Sequence, residues 1–138
     1  MAQNSNQPLL WKFTAWLLLI AGAGFFVLYV LHELTGFSVA ATATTLSYYA
    51  FASFGAVMIA WGFMLLHAAA DPALRNAIAM PTAIGFLLLA AMRVIPLVSG
   101  SGALDVIPSS LRIPITAGEV LLFGFLAYAF WAGAARRR

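Results

Sequence analysis

The sequence predicts an all-α membrane protein: four transmembrane helices in an up-down-up-down bundle, with both termini on the cytoplasmic side. Three observations predict it. Apolar residues make up 64% of the 138 positions. Only 8% are charged, seven Lys or Arg and four Asp or Glu, where a soluble domain carries about 25%. Four windows are each about 20 mostly apolar residues long, enough to cross a hydrocarbon core of about 30 Å. This composition excludes a water-soluble globule. It equally excludes a disordered chain, which needs low hydrophobicity and high net charge. Nucleic acid is excluded as a partner, because the excess of base comes from few acids and a basic tail, Arg136 to Arg138, and not from a basic face. The absence of cysteine removes disulfides, thiolate nucleophiles and Cys-ligated metal centres.

The first span runs from about Leu9 to Leu31, with Lys12, Thr14 and Tyr29 as its interior polar groups. Lys12, an apolar run and the small trio Ala21-Gly22-Ala23 resemble a signal peptide. The run continues through Phe25 to Leu31, too long for such a segment, so a transmembrane helix is expected. Thr35-Gly36 ends it, with Gly36 available for a left-handed C-cap. Thr42 to Ser47 cap or begin the second span, about Leu46 to Ala69. Asp71-Pro72 has the form of an N-cap followed by proline at the first helical position, where its missing N–H costs nothing. A third helix could therefore start at Pro72 ahead of its apolar span, about Ile78 to Val98, with a kink expected at Pro81. Ser99-Gly100-Ser101-Gly102 opens the longest connection, which reaches to about Pro114. The fourth span covers about Ile113 to Gly133. The spans use nearly the whole chain, so residues 1–138 are expected to form one transmembrane domain. Close helix packing is expected at Ala52, Ala56 and Ala60, spaced at four, and at Gly118 and Gly124.

Orientation follows from the Lys and Arg outside the spans. Lys12, Arg75 and Arg136 to Arg138 fall on one side and Arg112 alone on the other, which makes the termini cytoplasmic. Trp11, Trp16, Trp61 and Trp131 then lie in the cytoplasmic half, and Tyr48 and Tyr49 mark the opposite interface.

Ionisable groups inside spans are rare and costly, so each suggests a function. Arg93 lies near the outer end of the third span and Glu119 near the outer start of the fourth, at matching depth. His32, Glu33, Tyr48 and Tyr49 come to the same side from the first two spans. An outer cluster of these six residues is expected. Two readings of it stand side by side. In one, an Arg93–Glu119 salt bridge fixes which helices are neighbours. In the other, the cluster is a ligand or proton site, with the guanidinium offering fixed donors to a carboxylate, a phosphate or a quinone carbonyl. No metal site is expected: His32 and His67 fall on opposite sides, and neither has partners at ligand spacing. No catalytic set is assigned, since no Gly-rich phosphate loop, nucleophile elbow or HExxH pattern occurs. Four spans without inverted repeats also do not resemble a transporter.

Asp71-Pro72-Ala73-Leu74-Arg75, an alanine- and leucine-rich span carrying Arg93, a Gly-Ser loop and then Gly118-Glu119 are similar to one known pattern. Over roughly residues 46–138 the chain resembles small four-helix bacterial membrane proteins of the DoxX-like type. The resemblance implies four helices, a bacterial inner membrane and importance for Arg93 and Glu119. Some members of that group are subunits of quinone-linked oxidoreductases; the resemblance supplies no substrate.

Three functions compete. The first is a non-catalytic accessory or structural subunit of a larger membrane complex, respiratory or photosynthetic in type, suggested by aromatics such as Phe25, Phe26, Phe123, Phe125 and Phe130 on nearly bare helices. The second is a stand-alone binder of a lipophilic ligand at the outer cluster. The third is an enzyme acting alone, which two charges at membrane depth do not by themselves make. The expected partners are membrane lipid and other membrane subunits. A quinone, lipid or pigment could be held at the helix surfaces.

Overall fold

The computed structural model describes residues 7–38, 45–99 and 109–135. They form four helices: α1 (Gln7–Thr35), α2 (Thr45–Ala70), α3 (Pro72–Ser99) and α4 (Ser109–Ala135). Each is long and apolar enough to cross a membrane. Thr42 to Thr44, Gly100 to Gly102, Asp105 and the tail arginines 136–138 lie outside the described residues.

Every helix runs past the apolar window that announced it. α3 starts at Pro72, as the Asp71 cap required. The Asp71 carboxylate accepts from the backbone N–H of Ala73 at 2.8 Å and of Leu74 at 3.4 Å, satisfying donors that a helix start leaves open. α4 starts at Ser109, four residues before the expected Ile113, and takes in Pro114. In the second turn that proline removes a single backbone bond, the one to the Ser110 carbonyl, so the helix tolerates it. The α3–α4 connection is correspondingly shorter than the sequence suggested. α3 is helical through Pro81 as well.

The chain divides into two compact units, residues Met1–Arg75 and Asn76–Arg138. In the first, α1 and α2 are antiparallel: going up α1 from Ala15 through Gly22 and Phe25 to His32, the partners descend α2 from Gly62 through Gly55 and Phe51 to Tyr48. The residues turned inward recur at alternating steps of three and four, Ala15, Leu18, Gly22, Phe25, Tyr29 and His32 on α1, which is the spacing of a helix–helix seam. The tightest point is glycine on glycine. A Cβ on Gly22 would stand 2.6 Å from the Gly55 carbonyl oxygen, and one on Gly55 would stand 2.6 Å from that of Gly22. Gly62 repeats the device two turns on, where a Cβ would stand 3.0 Å from the Ala15 carbonyl oxygen. The expected alanine stripe is therefore corrected: Ala52 is buried, but Ala56 and Ala60 are exposed and the contact ridge passes through Gly55 and Gly62. A glycine ridge permits an approach that even alanine would block.

Both ends of this unit are closed by polar groups. Gly36 adopts the left-handed conformation (φ 69°) expected of a C-cap, and its N–H donates to the His32 carbonyl at 2.9 Å. At the other end the Arg75 guanidinium donates to the last carbonyls of α2, Nε to Ala68 at 3.1 Å and Nη2 to Ala69 at 2.7 Å. A cation there also meets the negative end of the helix dipole.

In the second unit Phe86 of α3 packs between Phe123 and Phe130 of α4, with ring centroids 6.1 and 6.0 Å away. Phe86 and Phe130 are buried, with Ala79, Ala83 and Ala90 beside Phe86 on the same face of α3. Gly118 and Gly124 do not serve this packing, since a Cβ at either would meet nothing within 4 Å. Hydroxyls along the helices bond back to carbonyls four residues earlier, Thr14 to Leu10 at 2.9 Å and Thr82 to Ile78 at 2.7 Å. A polar side chain in an apolar medium is satisfied in this way without a partner helix.

Candidate functional site

Of the six residues expected to cluster, the structure brings together two groups, one in each unit. In the first, His32 in the last turn of α1 stacks on Tyr48 in the first turn of α2, with centroids 4.1 Å apart and planes 10° from parallel. The His32 Nδ1 lies 3.0 Å from the Phe37 carbonyl oxygen. A carbonyl can only accept, so Nδ1 carries the proton in the neutral ring. Tyr48 is fully buried and its hydroxyl donates to Ser38 Oγ at 3.3 Å. Tyr49 is mostly exposed and meets Tyr29 edge-on at 6.3 Å. Glu33 is exposed and has no charged partner among the described residues. The His32–Tyr48 stack thus closes the end of the α1–α2 pair, and Glu33 stands apart from it.

The second group holds the charges. Arg93 Nε and Glu119 Oε2 are 2.9 Å apart, the one ion pair among the described residues. The antiparallel run of α3 and α4 sets this up, because Phe86 against Phe123 and Phe130 leaves Arg93, two turns further along α3, level with Glu119. The side chains keep 36% and 31% of their surface exposed. Oε2 itself is buried and accepts no aligned hydrogen bond. Proximity at 2.9 Å and the missing bond are reconciled by direction: the oxygen lies off the Nε–H axis, so the contact is an attraction of charges more than a formed hydrogen bond.

Glu119 belongs to a stripe the sequence reading missed. Arg112, Thr116 and Glu119 follow each other at steps of four and three, on one face of α4. Thr116 is fully buried and its hydroxyl has no hydrogen-bond partner among the described residues. That is unusual where Thr14 and Thr82 bond back to their own helices. The signal was the spacing of the three residues, hidden because Arg112 was counted only as a loop charge. No group of three His, Cys, Asp or Glu capable of holding a metal ion occurs among the described residues.

Comparison with protein-family models, with curated proteins and with solved structures found no match.

Proposed function

We propose that the chain is a multi-pass protein of a bacterial inner membrane, an up-down-up-down bundle with cytoplasmic termini, and that it serves as a non-catalytic accessory subunit of a larger membrane complex. One observation carries this reading: the charges at membrane depth are spent on each other, Arg93 on Glu119 at 2.9 Å. What the helices offer outward is apolar and aromatic, including Trp16, Phe26, Phe125 and Trp131. Such faces suit lateral association with other apolar helices and with lipid. Phe25, Phe123 and Phe130 are committed to intrachain ring contacts, so the docking role falls to the exposed aromatics. The resemblance to DoxX-like proteins belongs to the same reading. Extraction in mild detergent followed by native mass measurement tests it. The expected species is the chain bound to other membrane subunits, and a bare chain across a range of mild detergents rejects the reading.

A second reading, a binder of a lipophilic ligand, is favoured by the open third of the Arg93–Glu119 pair. An ion pair serving only to hold two helices together is expected to turn fully into their contact.

A further inference from the structure

We infer that the open side of the Arg93–Glu119 pair is a contact between two copies of this chain, in which each copy's arginine meets the other's glutamate. This goes beyond both functional readings, since it requires neither a foreign subunit nor a ligand. Three observations lead there. The first is place. Arg93 lies inside an apolar run that continues to Val98, and Glu119 lies inside the apolar stretch of α4. Yet the two side chains keep 36% and 31% of their surface open. Lipid tails offer no hydrogen bonds, so an open ion pair within a span is costly until something polar covers it.

The second is what the pair leaves unused. Arg93 reaches Glu119 through Nε, and its two Nη groups make no hydrogen bond among the described residues. A guanidinium has five N–H donors in a planar fork, so most of that fork is still to be satisfied. Glu119 in turn accepts no aligned hydrogen bond from a described residue. The pair is neutral as a whole, so an ion of either sign attracts one member and repels the other. The best match is a second pair in reverse order, which offers each member its opposite.

The third is symmetry. Arg93 and Glu119 sit level on antiparallel neighbours, so the direction from one to the other runs across the helices and not along them. Two copies inserted in the same sense are related by a two-fold axis along the membrane normal. That rotation reverses any direction lying in the membrane plane. A second copy set against the open side therefore presents Glu119 to Arg93 and Arg93 to Glu119, at the same depth. A foreign subunit would have to supply both charges at that level independently. The faces around the pair are apolar and partly open: Leu89, one turn before Arg93, and Ile115 and Leu122, one turn to either side of Glu119. They give the polar centre an apolar border.

A variant that keeps the intrachain pair and changes only what the second copy meets gives the test. R93E/E119R retains one charge of each sign per chain, in exchanged positions. Against itself it restores every opposite-charge contact between copies; against wild type it sets like charges opposite one another. Full-length chains carrying two different affinity tags are coexpressed and extracted in mild detergent, and co-purification is measured. Wild type should recover wild type, and the exchanged variant should recover itself. Recovery of the mixed pair should fall at least about ten-fold, the scale of one charge-assisted contact. Equal recovery in all three combinations puts any self-association on another face and overturns the inference. So does a wild type that does not recover itself. Should the exchanged variant fail to fold, R93L/E119L removes both charges together and should lose self-association by the same factor; unchanged recovery there overturns the inference as well. Native mass measurement of the wild type keeps the readings apart. A species holding two copies supports the contact. A single copy bound to other subunits overturns it and leaves the accessory reading standing, and a single copy retaining a lipophilic molecule overturns it and leaves the binder reading standing.

Discussion

Asp71 and Arg75 stand at the same turn and do opposite jobs. The carboxylate satisfies the opening N–H groups of α3, while the guanidinium satisfies the closing carbonyls of α2. Replacing Asp71 with Ala should cost about 1 kcal/mol, the usual value of an N-cap. Arg75→Gln should cost a similar amount, since two carbonyls lose charged donors. Thermal unfolding followed by circular dichroism in detergent checks both, and no loss in either variant would show that the turn is held by packing alone. The charges of the second unit behave differently, because each is costly without the other. Glu119→Leu leaves Arg93 uncompensated within the span and should destabilise by about 1–3 kcal/mol, below the value of a fully buried pair because a third of it is open. Exchanging the two, Arg93→Glu with Glu119→Arg, should recover much of that loss in a double-mutant cycle. A double variant no more stable than the worse single would mean that the pair contributes position without coupling.

At the scale of the helices, two pairings rest on different means. α1 and α2 meet through glycine, with the backbones so close that a Cβ at Gly22 or Gly55 would stand 2.6 Å from a carbonyl oxygen. α3 and α4 meet through rings, Phe86 set between Phe123 and Phe130. Substitution should therefore separate the glycines into two kinds. Gly22→Ala or Gly55→Ala forces the helices apart and should cost about 1–3 kcal/mol. Gly124→Ala has open space and should be neutral, or stabilising by up to about 1 kcal/mol through helix propensity. Melting temperatures of the four single variants, Gly118→Ala included, give the comparison, and equal effects across all four would contradict the glycine seam. This contrast also marks what the sequence made legible. Length and apolar content announce four helices, and Asp71-Pro72 and Gly36 announce their ends, because caps act locally and require particular residues. The level pairing of Arg93 with Glu119 was legible too, since matched depth on neighbouring antiparallel helices needs only counting. The seam was not. A helix apolar on all sides has no polar face to show which side packs, so Ala52, Ala56 and Ala60 looked as good as Gly55 and Gly62. Thr116 escaped for the same reason, as one hydroxyl in a span says nothing until its neighbours are known.

For the whole molecule, the proposed orientation depends on very few charges. Lys12, Arg75 and the three tail arginines are set against Arg112, and the rule they obey counts only Lys and Arg near span ends. Arg75 has a second duty as a helix cap, so its removal would confuse stability with topology. The tail has no such conflict in its sequence role. The chain lacks cysteine, so single cysteines can report sidedness without a background. Glu33→Cys at the end of α1 and Ala73→Cys in the first turn of α3 are both at exposed positions. A membrane-impermeant maleimide added to intact cells should label Glu33→Cys, and should label Ala73→Cys only after permeabilisation. The reverse pattern would invert the topology. Replacing Arg136, Arg137 and Arg138 with Gln leaves Lys12 and Arg75 against Arg112. The bias is then small enough that a measurable fraction of molecules should insert inverted, with Ala73→Cys labelled in intact cells. If the tail variant stays fully oriented, the first span sets the topology by itself, and the basic tail acts as an anchor on the anionic leaflet.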